Sequence, residues 1–135
     1  MSTTTVTTFL MFDGKAEEAM NYYVSLFDNA EILNIVRYEE GQPGKAGTVR
    51  NAVFSINGTH FMCIDSSVEH DFTFTPAISL FVATETAAEI EKLYDALSNG
   101  GKVFMELNRY GSSDKYAWLE DKFGVSWQLF LNAPQ

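Results

Sequence analysis

The sequence has few of the features that characterise disulfide-rich, membrane or nucleic-acid-binding proteins. Its one cysteine, Cys63, excludes an intrachain disulfide and is typical of a reducing compartment. Nine lysines and arginines stand against 18 aspartates and glutamates, and a net charge of -9 repels phosphate backbones and anionic lipid. Neither a basic N-terminal segment nor an apolar run of roughly 18 residues is present. We therefore expect a cytoplasmic protein that binds neither nucleic acid nor membranes.

What the sequence does contain is enough packing material for one core. Hydrophobic residues make up 46% and aromatic residues 14% of the chain, which excludes a disordered protein. A length of 135 residues matches that of one typical domain. We predict a single domain over residues 1–135.

Hydrophobic periodicity predicts two successive units, each with a strand, a helix and three further strands. Apolar residues recur at three- and four-residue steps over 15–27 and 85–99, which predicts two helices. Asn57-Gly58 is the strongest short hairpin signal in the chain. The predicted strands are 7–12, 31–38, 49–56, 59–64, 78–83, 102–107, 116–120 and 125–131, and residues 39–48 are predicted to form a mobile, glycine-rich loop.

The two halves of the chain align with each other, which indicates an internal duplication. At an offset of 71 residues Tyr23 meets Tyr94 and Leu26 meets Leu97, and near the end of each half the offset becomes 66. A repeated unit that cannot bury its own sheet implies a pseudo-symmetric pair. We predict an α+β fold with one module at about 6–66 and another at about 76–132.

Several stretches resemble the PhnB-like branch of the glyoxalase/bleomycin-resistance (vicinal oxygen chelate) superfamily. They are 9–14 (FLMFDG), 16–23 (AEEAMNYY), 76–82 (PAISLFV) and 121–129 (DKFGVSWQL). The resemblance spans nearly the whole chain. It implies the glyoxalase/bleomycin-resistance fold, in which two βαβββ modules form a curled mixed sheet, and it implies a homodimer.

Some members of this branch carry the label 3-demethylubiquinone-9 3-methyltransferase. A methyltransferase that uses S-adenosylmethionine normally has a glycine-rich turn from a parallel strand into a helix. Here Gly41, Gly44 and Gly47 lie in a predicted loop, and Gly100 and Gly101 follow a helix. The sequence therefore argues against methyl transfer.

The resemblance also implies four strand positions at which metal-dependent relatives bind a divalent ion. Carried over by spacing, these positions fall on Thr8, Met62, Ser79 and Gln128. Catalytic metals are usually held by imidazoles and carboxylates, whereas these residues offer a thioether and neutral oxygens. We predict no metal and no other cofactor. His60 would be a ligand candidate if the register were shifted, although a structural role in the hairpin is favoured.

A second group of candidate ligand-binding residues combines cations with aromatic rings. It consists of Arg109, Tyr110, Lys115, Tyr116 and Trp118. Such a group suits an anionic or planar ligand, and it equally suits packing against a neighbouring subunit. Phe81 and Trp127 are expected to divide between a cavity wall and the core.

For the other polar candidates a structural role is favoured over a catalytic one. We expect buried packing for Cys63, a cap on the following linker through Ser66 and Ser67 for Asp65, and solvent exposure for His70.

Three functions are compatible with the sequence, and no catalytic residue is assigned. The favoured one is a metal-independent protein that binds a small molecule in a mostly apolar cavity, with Thr8, Ser79 and Gln128 as polar contacts. The alternatives are a metal-dependent enzyme of the glyoxalase or dioxygenase type and a partner-binding module.

Overall fold

The same order of elements occurs twice in the chain. The structure is a computed structural model that describes residues 3–111 and 114–131, and it divides into two units, Met1–Thr73 and Phe74–Gln135. The first unit contains β1 (Thr8–Phe12), α1 (Ala16–Ser25), β2 (Ala30–Arg37), β3 (Val49–Ile56) and β4 (Thr59–Asp65). The second contains β5 (Leu80–Thr84), α2 (Ala87–Ser98), β6 (Lys102–Asn108), β7 (Lys115–Glu120) and β8 (Ser126–Leu131).

Each unit forms a four-stranded mixed sheet. The strand order is β1-β4-β3-β2 in the first unit and β5-β8-β7-β6 in the second. In both, the first strand runs parallel to the last, and the other neighbours are antiparallel. The prediction of an α+β fold with two βαβββ modules is confirmed. Residue 132, the predicted end of the second module, lies outside the described residues.

Both helices are slightly shorter than predicted, and a side-chain cap explains where α2 begins. Thr86 has an extended backbone, and its hydroxyl accepts a hydrogen bond from the Glu89 N–H at 3.1 Å, so α2 begins after it and not at Glu85. At α1 the N-cap residue Lys15 makes no such bond. No helix within residues 3–111 and 114–131 is long and apolar enough to cross a membrane.

Each helix covers one face of its own sheet. Side chains alternate along a strand, so every second residue of the central strands lies beneath the helix. In the first unit the buried side chains include Met20, Tyr23, Phe54 and Phe61, and in the second they include Ile90, Leu93, Leu97, Leu119, Trp127 and Leu129. Trp127 is thus a core residue. The opposite face of each sheet, called the helix-free face below, carries the remaining side chains.

Each unit contains a buried carboxylate that accepts several hydrogen bonds. Asp65 accepts hydrogen bonds from the backbone N–H groups of Ala16 and Val49, each at 2.9 Å. Its predicted structural role is confirmed, but the predicted partners are wrong, because Ser66 instead bonds the Val68 carbonyl at 2.8 Å. In the second unit Asp121 is 2% exposed and accepts three hydrogen bonds.

The predicted loop 39–48 is closed at its base by backbone hydrogen bonds. Tyr38 N–H donates to the Thr48 carbonyl at 2.8 Å, and Gly47 N–H donates to the Tyr38 carbonyl at 2.9 Å. The Tyr38 ring lies against Gly44 and leaves no room there for a Cβ atom. Residue 44 therefore has to be glycine unless the ring moves.

Cys63 is expected to be unreactive in the folded protein. Its side chain is fully buried, with the sulfur 3.9 Å from that of Met20, which confirms the predicted packing role. Burial, and secondarily the Asp65 charge, raise the pKa of Cys63 to about 12, so the reactive thiolate is scarce at neutral pH. Titration with Ellman's reagent should detect no thiol in the native protein and one per chain in denaturant. Full reaction of the native protein within minutes would contradict the burial.

Candidate functional site

The helix-free face of the second sheet brings together residues from three neighbouring strands. The register places both Phe81 of β5 and Trp118 of β7 beside Gln128 of β8. Alternation then adds Tyr116 and Glu120 on β7, Ser126 and Phe130 on β8, and Ala83 on β5. This set is called the β5–β8–β7 face below, and it contains four of the residues predicted to bind a ligand: Phe81, Tyr116, Trp118 and Gln128.

Polar atoms on this face are joined by short hydrogen bonds. The Tyr116 hydroxyl donates to Gln128 Oε1 at 2.6 Å. Trp118 Nε1 donates to the Ser126 hydroxyl at 2.9 Å, and that hydroxyl lies 2.7 Å from the Ser79 hydroxyl. Because each rotamer is held by a partner, the polar groups are already oriented before any ligand arrives.

Aromatic rings surround these polar atoms. Phe104 packs on Trp118 with ring centroids 4.9 Å apart, and Tyr110 meets Tyr116 edge-on at 5.9 Å. Phe81 packs against Phe130 yet remains 59% exposed. Burial, and secondarily Tyr110, raise the pKa of Tyr116, so its hydroxyl is protonated at neutral pH and remains a donor. The face thus combines aromatic surface with a few fixed polar atoms, the two kinds of group that line small-molecule sites.

The predicted cluster of cations and aromatics is split by the sheet. Lys115 has the parity of the buried Ala117, so it lies on the helix side, where its ammonium pairs with Glu91 of α2 at 2.8 Å. Arg109 is exposed beyond the end of β6. The Tyr110 hydroxyl donates to the Glu106 carbonyl at 2.8 Å. Residues 112 and 113 of the predicted aromatic stretch lie outside the described residues.

In the first sheet the register places Phe9, and not Thr8, beside Met62. Thr8 pairs with Phe61 and shares the parity of Leu10, which faces the helix. Phe9 is 51% exposed and corresponds to Phe81 of the second sheet. The first-strand position beside Met62 is therefore residue 9, one residue after the predicted residue 8. In a strand, a shift of one residue moves a side chain to the opposite face.

The two histidines occupy exposed positions in the first unit. His60 is exposed in the β3–β4 hairpin, where it pairs with Ser55. The exposure predicted for His70 is confirmed: it stacks on Phe72 with centroids 4.6 Å apart, and its ring nitrogen lies 2.9 Å from the Ser66 hydroxyl. Among residues 3–111 and 114–131, no group of three or more histidine, cysteine, aspartate or glutamate side chains is arranged to hold a metal ion.

The residues of the helix-free faces that sequence reasoning missed include Phe9, Glu120 and Ser126. Glu120 shares its parity with Tyr116 and Trp118 and pairs with Ser126. Extending the period-two pattern of 116–120 to its last residue would have found it. Phe9 needed the parallel pairing of β1 with β4, which no local pattern reveals.

Comparisons with known proteins agree on one family. A family model described as 3-demethylubiquinone-9 3-methyltransferase matches residues 4–130. The solved structure of a PhnB protein from Bacillus cereus is 57% identical, with a TM-score of 0.93, over 96% of this chain and 100% of that one. A search of curated proteins finds no significant match.

More distant structures share the fold. A protein from Pseudomonas aeruginosa is 22% identical, with a TM-score of 0.81, over 98% of this chain and 100% of its own. The fosfomycin resistance protein FosX from Listeria monocytogenes is 12% identical, with a TM-score of 0.64, over 96% and 94% of the two chains. At such identities the likeness concerns the fold alone.

Proposed function

Because this chain belongs to the 3-demethylubiquinone-9 3-methyltransferase-like (PhnB) family of the glyoxalase superfamily, we propose that it binds a small planar molecule on the β5–β8–β7 face without a catalytic metal. The observation that carries this proposal is the hydrogen-bonded set of Tyr116, Gln128, Trp118, Ser126 and Ser79, which lies among aromatic rings.

The side chains of this face favour a planar and uncharged ligand. The rings of Trp118 and Phe81 offer surfaces on which a planar molecule can stack. The face carries one carboxylate, Glu120, and its sequence-predicted cation Lys115 lies on the other side of the sheet. With a net charge of -9 on the whole chain, an anionic ligand is disfavoured.

Binding is a better match to the structure than the methyl transfer in the family's description. The two strand-to-helix connections, residues 13–15 and 85–86, contain one glycine, Gly14. A glycine-rich turn of the kind that brings backbone N–H groups close to a nucleotide cofactor is therefore not formed at either connection. Homodimerisation and a cytoplasmic location stay predictions from the sequence.

Trp118 provides a direct test, because the two tryptophans have different environments. Trp118 is half-buried on the proposed face, whereas Trp127 is 1% exposed. We expect 9-fluorenone, a planar tricyclic ketone, to quench part of the tryptophan emission and to raise the melting temperature by mass action. Trp118→Phe should abolish the quenching and weaken binding about fivefold, since a weakened aromatic contact costs about 1 kcal/mol.

The control for this test is Tyr94→Phe, a change of similar kind on α2, which should leave both signals intact. Quenching that survives in Trp118→Phe would place the site elsewhere. A stoichiometric divalent ion in protein purified without chelator, released by Gln128→Ala, would contradict the metal-free part of the proposal and favour the metal-dependent alternative.

A further inference from the structure

The hydrogen bond between Tyr116 and Gln128 sets which end of the glutamine amide faces the tyrosine. The two atoms are 2.6 Å apart. Such a distance is usual for O–H···O bonds and short for N–H···O bonds, whose most common distance is about 2.9–3.0 Å. The amide oxygen therefore faces the Tyr116 hydroxyl, and the amide nitrogen faces away from it.

The outward end of Gln128 consequently carries donors. An amide nitrogen has two N–H groups, and within the described residues neither of them makes a hydrogen bond. Gln128 is half-buried and lies between Phe81 and Trp118 in the register of the sheet. A partly desolvated donor without a partner weakens the binding of any ligand that cannot accept its hydrogen bond.

Ser126 of β8 and Ser79, which precedes β5, add a further hydroxyl donor. The Ser126 hydroxyl already accepts from Trp118 Nε1, and it shares one hydrogen bond with the Ser79 hydroxyl. Two hydroxyl hydrogens are thus available for one bond between them. Ser126 is 2% exposed, so the half-buried Ser79 is the member of the pair that can donate to a ligand.

We propose that the Tyr116–Gln128 pair selects planar ligands that carry a carbonyl-type acceptor, and rejects equivalent ligands that carry an N–H donor at that point. This inference rests on the proposed function, whose ligand class it narrows. Gln128 contacts the ligand, and Tyr116 is a positioning residue that keeps the amide from turning over. The selection works because a wrong ligand leaves two donors facing each other in a partly dry site.

Three compounds of nearly the same shape test the proposal. 9-Fluorenone, fluorene and carbazole carry C=O, CH₂ and N–H, respectively, at the bridging position of the same planar tricycle. Dissociation constants are measured by equilibrium dialysis at about pH 7.5, where a glutamate introduced at position 128 is ionised. We expect fluorenone to bind about tenfold more tightly than fluorene, as one hydrogen bond predicts, and carbazole to bind no better than fluorene.

Variants of the pair separate positioning from general stability. Tyr116→Phe frees the amide to turn, so the ratio of the carbazole dissociation constant to the fluorenone dissociation constant should fall towards one while fluorene binding is retained. Gln128→Glu replaces the donors with acceptors, so carbazole should become the preferred ligand. Gln42→Glu in the first unit is the matched control and should change none of the three constants.

The possible outcomes distinguish failure of the selection mechanism from failure of the proposed binding function. Equal binding of the three compounds, or a ratio that Tyr116→Phe leaves unchanged, would overturn the selection mechanism and leave the proposed binding function standing. No binding of any of them to protein with a normal melting transition would overturn the proposed function as well.

Discussion

Replacement of Asp121 with alanine is expected to lower the free energy of unfolding by about 3–4 kcal/mol, because three donors lose a buried acceptor. Oδ1 accepts from the backbone N–H groups of Phe123 at 2.8 Å and Val125 at 3.1 Å, and Oδ2 accepts from Trp127 Nε1 at 2.9 Å. The residue thus joins the β7–β8 turn to the core. Calorimetry should show a melting temperature about 10 °C lower.

Two further variants identify the cause of this loss. Asp121→Asn keeps the shape of the side chain but directs its amide N–H groups at one of the three N–H donors. We therefore expect a loss of unfolding free energy close to that of Asp121→Ala. Asp95→Ala, on the exposed side of α2, should change the stability by no more than about 0.5 kcal/mol. Equal melting temperatures for Asp121→Ala and Asp95→Ala would show that the three hydrogen bonds contribute little.

Asp65→Ala is expected to destabilise the first unit by about 2–4 kcal/mol. Its carboxylate supplies the cap that α1 lacks locally, through the 2.9 Å bond from Ala16, and it also holds the start of β3. A charge-assisted bond at a helix N-terminus is stronger than a neutral one. Removal leaves two backbone donors in a site that is 2% exposed.

The reactivity of Cys63 can be used to measure this loss of stability. Tryptophan fluorescence cannot be used for the first unit, because both tryptophans lie in the second. The thiol is fully buried two residues from Asp65, so it reacts only when the first unit opens. A loss of about 2.8 kcal/mol in opening free energy should speed its reaction with Ellman's reagent about 100-fold. Asp71→Ala in the exposed linker is the control. An unchanged rate in Asp65→Ala would refute the capping role.

The candidate site could be predicted in part from local patterns. Period-two alternation places Tyr116 and Trp118 on one face and Lys115 on the other. Gln128 was instead implied by the resemblance to the superfamily, carried over by its spacing from the last-strand glycine. Grouping Lys115 with Tyr116 did not take this alternation into account. Lys115 lies on the side of the sheet that α2 covers, and there it forms its ion pair with Glu91. Ser126 belongs to the candidate site because its hydroxyl bonds Trp118 and Ser79. Ser79 lies 47 residues away from it along the chain, so no local pattern predicts this contact.

The sequence by itself determined the elements whose cause is local. Asn57 and Gly58 adopt φ values of 48° and 85°, as a tight hairpin requires, because both residues tolerate the left-handed region. Helix periodicity and the repeated order of elements likewise depend on neighbouring residues, and they were enough to predict two βαβββ modules.

Only the tertiary structure decided which residues share a face across parallel strands and which donors meet the buried Asp65 carboxylate. Phe9 and not Thr8 lies beside Met62, and Asp65 bonds Ala16 from 49 residues away. Such choices depend on the register between segments that are far apart in the chain. Since a one-residue slip in that register reverses every side chain of a strand, local propensity cannot determine it.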